Sequence, residues 1–349
     1  MKEKFYISVL VDFSMVVKKR IELVNRNTEE IIGNVDELMN KKTPVIYWGT
    51  APTGKPHVGY FLPMIKIADF LKAGFKVKIL LADIHAALDN TSWDVLNKRY
   101  EYYKAVIPLM IKAIGVNVKN LEFVKGSDFQ LKKDYMYDVL KMSSFVSVRD
   151  STKSASEVVK MGNSPKLSGL IYPIMQALDE EYLGVDAQLG GTDQRKIMVL
   201  ARENLPKMGY KERVEIMNPL VPGLIGKKMS ASVEAGKIDL LDNEKKVIEK
   251  LKGAEMIIGN SNNGVMGFLK FVIMTIKEDN KEKFIVERDE KYGGNLEYNN
   301  YDEIEKDFIS KKLHPLDLKN AVAKEINSLL KIFRKNAVKL EKLSKKAYA

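Results

Sequence analysis

The chain has 349 residues, enough for two domains, and its 45% apolar and 30% charged residues are the balance of a globular rather than a disordered protein. With no cysteine and only three histidines, a disulfide framework and a thiolate metal site are excluded, and a histidine-rich zinc site is disfavoured. A net charge of +11 points to a polyanionic partner.

From Met1 to Arg20 an apolar stretch is broken by Asp12 and lacks a small-residue cleavage site, so it reads as an extension or a poor transit segment rather than a signal peptide. No uncharged apolar run approaches the roughly 18–20 residues of a membrane span, and the expectation is a cytosolic protein with no membrane partner. Lys18 to Leu38 carries apolar residues at helical spacing and predicts one or two amphipathic helices. Val45-Ile46-Tyr47-Trp48 reads as a buried strand, followed by a turn-rich segment from Gly49 to Pro56. His57 then opens a helical pattern that Gly74 stops. Strands are predicted at Val77 to Ala82, Leu121 to Val124, Val185 to Leu189 and Val214 to Met217. Helices are predicted at Trp93 to Ile114, Tyr135 to Phe145 and Asp193 to Asn204. This alternation predicts a doubly wound α/β fold with a parallel sheet, its ligands at the carboxyl ends of the strands. Residues 125–165 look like an insertion, and past Lys237 helical periodicity takes over. Lys319 to Ala349 holds nine basic and two acidic side chains, a solvated helix face or a nucleic-acid contact.

Gly49 to Pro56 nearly matches the phosphate-loop pattern, but Pro56 offers neither the hydroxyl nor the backbone N–H that pattern needs, so a kinase or GTPase is rejected. What survives is a loop running into a helix N-terminus, an electropositive place suited to phosphates. His57 stands there with Gly59, whose missing Cβ lets a ligand approach. The competing reading is a capping histidine and a packing glycine. Gly226-Lys227-Lys228-Met229-Ser230-Ala231-Ser232 lies just beyond the last strand, where a lysine can follow charge on a leaving phosphate; the competing reading is an exposed basic turn. Tyr172, Gln176 and Asp179 fall at i, i+4 and i+7, so they share one face of a helix that Pro173 can start. A phenol, an amide and a carboxylate buried on one face need partners, from a structural network or from a ligand.

His57-Val58-Gly59-Tyr60 resembles the HIGH signature, and Lys228-Met229-Ser230-Ala231-Ser232 the KMSKS signature, of class I aminoacyl-tRNA synthetases. Tyr47-Trp48-Gly49-Thr50, Tyr172 to Asp179 and Gly190 to Lys196 resemble the tyrosyl enzymes of the archaeal and eukaryotic cytosolic type. The likeness runs from about Lys18 to the C-terminus. It departs at Ala231, where the signature has a lysine, and at Tyr60, where it has a second histidine.

The resemblance implies residues 1–43 as an N-terminal extension and helices, 44–236 as a Rossmann-like catalytic domain, and 237–349 as a mainly helical anticodon-binding domain. It further implies a homodimer through the insertion at about 125–165. For the tyrosine substrate it implies Tyr47 and Asp179 at the phenol, Tyr172 and Gln176 at the ammonium group, Gln194 near the carboxylate, and Ala82, Phe129 and Gln130 along the wall. For ATP, brought with Mg2+, it implies Gly49, Thr53, His57, Gly59, Asp193, Lys228, Met229, Ser230 and Ser232. His57, Lys228, Thr53 and Gln194 would act in catalysis, with no protein-held metal. His314 and Asp317 would meet the anticodon of tRNA(Tyr). Rival readings are a tryptophanyl enzyme, a small nucleotidylyltransferase, and a silent paralogue that only binds RNA. Tyr47 with Asp179, the helical C-terminal region, and intact His57, Lys228, Asp193 and Gln194 disfavour them in turn.

Overall fold

The computed structural model describes residues 17–159, 164–224 and 237–348. The chain falls into two compact units. One is drawn from Met1–Thr53, Lys66–Lys104 and Val116–Leu220, the other from Gly54–Ile65, Ala105–Gly115 and Val221–Ala349.

The first unit holds a six-stranded sheet of β1 (Glu30–Ile32), β2 (Val45–Thr50), β3 (Lys76–Leu81), β4 (Leu121–Lys125), β5 (Ala187–Gly191) and β6 (Val214–Asn218), in the order β1-β6-β5-β2-β3-β4. Strands β2 to β6 pair in parallel, each within a residue or two of its predicted place. The apolar runs that reveal β2, β3, β5 and β6 are those of strands largely covered on both faces. The chain winds outward from β2 through β3 to β4, then returns to β5 on the other side of β2. The reversal between β2 and β5 makes a crevice at their carboxyl ends, the usual ligand position of an open α/β sheet.

Strand β1 was not expected. It runs antiparallel to β6, so the sheet is mixed, and it interrupts what the sequence reads as helix from Lys18 to Leu38. Residues 17–25 are helical, but Asn27 takes a φ of 55° and Gly33 a φ of 116°, left-handed conformations that break a helix on either side of β1. Asn34 then caps the short helix Val35–Met39 by accepting from the Asp36 and Glu37 amides. Lys66, fully buried, donates to the carbonyls of Leu23, Val24 and Arg26, groups that the end of helix 17–25 leaves without intrahelical partners.

Helix Leu167–Tyr182 packs with Lys133–Ser143, Val148–Ala155 and Arg195–Asn204 around Tyr135, Val139, Met142, Met175, Leu178 and Leu200. Pro173 does not start the helix. It lies inside, a turn and a half beyond Leu167, and forgoes one backbone hydrogen bond there.

The second unit is mainly helical, its longest element being Pro315–Lys335 followed by Ala337–Tyr348. It also contains an antiparallel pair that the sequence does not announce, β7 (Phe284–Val286) with β8 (Leu296–Tyr298). Three-residue strands are too short to show alternation, although Gly293 and Gly294, both at positive φ, mark the turn that joins them.

Candidate active site

Tyr47 projects from β2 into a small apolar group with Leu80, Ala82, Leu183 and Val185, against which Phe129 packs. Its hydroxyl is buried and has no hydrogen-bond partner among the described residues. Burial pushes this phenol well above its ordinary pKa, and the carboxylates of Glu180, Asp179 and Glu215 add to the effect. Tyr47 is thus a neutral hydrogen-bonding group.

Asp179, 1% exposed, is the centre of the surrounding network. Its Oδ1 accepts from Gln130 Nε2 and from the Tyr135 hydroxyl, both at 2.8 Å. The ring nitrogen His85 Nε2 lies 3.8 Å from Oδ2. Burial lifts Asp179 to about 7, against the lowering pull of the Gln130 and Tyr135 hydrogen bonds. Burial drives His85 the other way, to about 4, which keeps it neutral. The Tyr172 and His85 rings meet nearly at right angles with centroids 4.5 Å apart. One turn along the helix from Tyr172, Gln176 Nε2 donates to Gln194 Oε1 at 3.1 Å.

Local backbone explains these positions. Asp83 Oδ1 accepts from the Ser127 amide at 2.8 Å, tying the short helix Ser127–Gln130, which carries Phe129 and Gln130, to the helix Asp83–Leu88, which carries His85. Ala82 is the residue that enters the latter helix. After β5, a Cβ on Gly191 would stand 2.5 Å from Asp193 Oδ1, and one on Gly190 would meet Met198 at 2.6 Å and Gln194 at 3.0 Å. Glycine at these two places lets the turn Thr192–Gln194 fold back over the end of β5. Gly49 sits at the end of β2, with the Tyr47 ring 3.5 Å from where its Cβ would be. Thr53 follows, its amide bonded to the Ala51 carbonyl at 2.8 Å and its own carbonyl held by Arg99.

His57 and Gly59 belong to the second unit. His57 caps the turn Val58–Tyr60, its Nδ1 accepting from the Gly59 amide at 3.1 Å, so the ring proton sits on Nε2. Burial lowers the imidazole to about 4, helped by Lys237 and opposed by Asp239. At neutral pH it donates a hydrogen bond without carrying charge. In the same unit His314 caps the helix Pro315–Lys335, its Nδ1 accepting from the Leu316 amide at 3.2 Å, with Pro315 and Asp317 in the first turn. Lys228, Met229, Ser230 and Ser232 lie outside the described residues.

A family model described as tRNA synthetases class I (W and Y) matches residues 39–331. The chain is 49% identical over 342 residues to the cytoplasmic tyrosine–tRNA ligase of Xenopus laevis, covering 96% of this chain and 64% of that one. It is 46% identical to the cytoplasmic tyrosine–tRNA ligase of Saccharomyces cerevisiae, covering 96% and 87%. The crystal structure of an Archaeoglobus fulgidus tyrosyl-tRNA synthetase complexed with L-tyrosine superimposes with a TM-score of 0.84 at 38% identity, over 91% of this chain and 99% of that one. The chain belongs to this class I synthetase family, on its tyrosyl branch.

In this tyrosyl-branch chain, motif reading passes over four groups near the cluster. His85 and Tyr135 touch Asp179 from 94 and 44 positions away, and nothing local marks them. Glu180 and Glu215 are fully buried, with no donor bonded to their carboxylate oxygens among the described residues. Burial raises the pKa of each, and the Glu180 carboxylate raises Glu215 further, so the pair keeps a proton.

Proposed function

We propose that the chain activates L-tyrosine with ATP and transfers the tyrosyl group to tRNA(Tyr). The observation that carries this reading is the cluster at Asp179, where Tyr47 Oη, His85 Nε2 and Gln130 Oε1 are all buried and unpartnered among the described residues. Leaving such a group unpaired costs about 1–3 kcal/mol, and a phenolic hydroxyl, both donor and acceptor, answers the need. Asp179 and Tyr47 then hold the phenol, Tyr172 and Gln176 the ammonium group, and Ala82, Phe129 and Gln130 the ring.

In the first step a tyrosine carboxylate oxygen attacks the α-phosphorus of ATP, which enters as its magnesium complex. The bond to the bridging oxygen breaks, and pyrophosphate leaves with the electron pair. Positioning and charge stabilisation supply most of the rate in such a step. His57 donates Nε2–H to the phosphates with Thr53, Gly49 and Gly59 beside them; Gln194 holds the reacting carboxylate, and Asp193 the ribose hydroxyls. Lys228, with Met229, Ser230 and Ser232, meets the departing pyrophosphate. In the second step a terminal ribose hydroxyl of the tRNA attacks the activated carbonyl and AMP leaves. Pyrophosphate exchange assayed separately with tyrosine, tryptophan and phenylalanine tests the reading: exchange with tyrosine alone supports it, and exchange with none overturns it.

His314 and Asp317 read the anticodon, the carboxylate accepting from the N1–H and N2 amine of an unstacked guanine. The basic helix Ala337–Tyr348 adds salt-sensitive phosphate contacts. Two copies associate through the insertion at about 125–165, where Tyr137, Leu140 and Val148 expose 65%, 69% and 70% of their surface. A cytoplasmic location agrees with the names of the frog and yeast relatives.

A further inference from the structure

The carboxyl ends of β5 and β6 carry a set of groups of which the mechanism above uses only one. Asn218 closes β6 and pairs in register with Gly191, which closes β5. Registered partners on neighbouring strands point to the same face of a sheet, so the absent side chain of Gly191 leaves space beside Asn218. The atoms nearest to where a Cβ would stand on Gly191 are Asp193 Oδ1 at 2.5 Å and Leu220 Cδ2 at 3.3 Å. Leu220, two residues beyond Asn218, leaves 59% of its surface exposed. A carboxylate, a carboxamide and an uncovered apolar side chain thus surround one glycine.

Asn218 Oδ1 is buried and has no hydrogen-bond partner among the described residues. Pro219 follows it, and an asparagine in a turn commonly bonds its Oδ1 to the amide two residues on. That bond, to Leu220, is not made here. An amide oxygen kept from water without a donor calls for one from a ligand. The ligand that the proposed reaction brings to Asp193 is the nucleoside of ATP, whose ribose hydroxyls Asp193 already meets. What remains is the base. Adenine presents its N6 amine next to a ring nitrogen, a donor beside an acceptor, and a carboxamide presents the complementary pair.

We propose that Asn218 determines the base specificity of the nucleotide site: its Oδ1 accepts from the N6 amine of adenine while Leu220 lies against the ring. This rests on the tyrosyl-adenylate reading and deepens it by naming the group that reads the base. No proton is transferred at Asn218. A purine without the 6-amino group leaves Oδ1 unpaired, so the site disfavours it.

Purine riboside 5′-triphosphate, which is ATP without the 6-amino group, tests the assignment in tyrosine-dependent pyrophosphate exchange by the full chain. The unaltered protein is expected to favour ATP over this analogue about tenfold in kcat/KM, and Asn218→Ala to bring the ratio to within about twofold of unity. KM for tyrosine should stay within about twofold in the variant, because the phenol cluster is untouched. Equal use of the two nucleotides by the unaltered protein overturns the proposal. So does a preference that survives in Asn218→Ala, or an equal loss with both nucleotides, because that marks a structural role. Titration with each nucleotide in the absence of tyrosine, read by calorimetry, is the second arm and needs no turnover. Tighter binding of ATP than of the analogue, lost in Asn218→Ala, supports the proposal, and an unaltered ratio overturns it. Should Asn218→Ala fail to fold, Asn218→Val replaces it in both arms. If the unaltered protein selects ATP through Asn218 but shows no tyrosine-dependent exchange, the tyrosyl-adenylate reading falls and the base contact stands. Tyrosine-dependent exchange with a ratio that Asn218→Ala does not move leaves that reading in place and removes Asn218 from the base.

Discussion

The Tyr135 hydroxyl lies between two acceptors, 2.8 Å from Asp179 Oδ1 and 2.7 Å from the Met175 carbonyl, so one phenol of the protein already braces the carboxyl group proposed to meet the phenol of the substrate. Gln130 reaches the same oxygen, and His85 Nε2 stands 3.8 Å from Oδ2.

Asp179→Ala is therefore expected to reduce selectivity as well as rate. Tyrosine loses a buried partner in this variant, whereas phenylalanine, which strands Asp179 in the unaltered protein, no longer does. At about 1–3 kcal/mol for such a group, the preference for tyrosine over phenylalanine falls roughly 10- to 100-fold. Pyrophosphate exchange with each amino acid measures it, and an unaltered preference would remove Asp179 from the phenol site.

Asp179 also gives a pH signature. Burial raises its carboxyl from 3.8 to about 7, so the folded state holds the proton more tightly than the unfolded chain. The stability this contributes is full below pH 4 and is lost as the pH rises through 7. Asp179→Asn, which cannot titrate, should lose less stability than the unaltered protein between pH 4 and 7, by on the order of 2–4 kcal/mol. Denaturant unfolding at the two pH values checks this. Parallel pH curves for the two proteins would count against the buried, partly protonated carboxyl group.

How much of this was legible in the sequence depends on the distance over which each partner acts. Strands β2, β3, β5 and β6 show as apolar runs because both faces are largely covered, and Tyr172, Gln176 and Asp179 show as a set because one helix carries them all. Strand β1 is hidden by apolar residues that also fit a helix; the left-handed Asn27 and Gly33 decide otherwise. His85 and Tyr135 are found only after the sheet and the inserted helices fold together. Glu180 reads as an ordinary acidic neighbour of Asp179, yet it is fully buried. Pro173 looks like a helix start because proline favours the first turn, and only Ser168-Gly169-Leu170 continuing the helix before it shows that the start is Leu167.

His57 is expected to act as a neutral donor. Its pKa, lowered from 6.5 to about 4, predicts that tyrosine-dependent exchange shows no step near pH 6.5 and falls off only below about pH 5. His57→Ala should lower kcat by about 10²–10³-fold, the usual loss for one donor to a transition-state oxygen, with KM for tyrosine within twofold. A descending arm centred on pH 6.5 that vanishes in His57→Ala would show a charged imidazole at work and contradict the burial argument.

Asp317 stands in the first turn of Pro315–Lys335, where the helix dipole steadies a carboxylate, and it is only partly covered. If it accepts from guanine, Asp317→Ala costs about 1–3 kcal/mol of tRNA recognition. Aminoacylation kcat/KM for tRNA(Tyr) should then fall roughly 10- to 100-fold, at least ten times more than tRNA-free exchange. Replacing the recognised guanine of the anticodon with another base should produce the same loss, and the two changes together should produce little more. Additive losses would place the contact elsewhere.

The exposed side chains of the insertion make the last prediction. Met136, Tyr137 and Leu140 lie on the helix Lys133–Ser143 and Val148 opens the next, while the opposite side of that first helix is buried through Tyr135, Val139 and Met142. An amphipathic helix with a second apolar side has two surfaces to cover, and the unit's own core covers one. A second copy supplies the other cover if this is the dimer surface. Leu140→Asp with Val148→Asp should shift sedimentation from dimer to monomer at micromolar concentration without unfolding, because both positions are more than two-thirds exposed in the single chain. A dimer that survives the double change would move the interface away from residues 125–165.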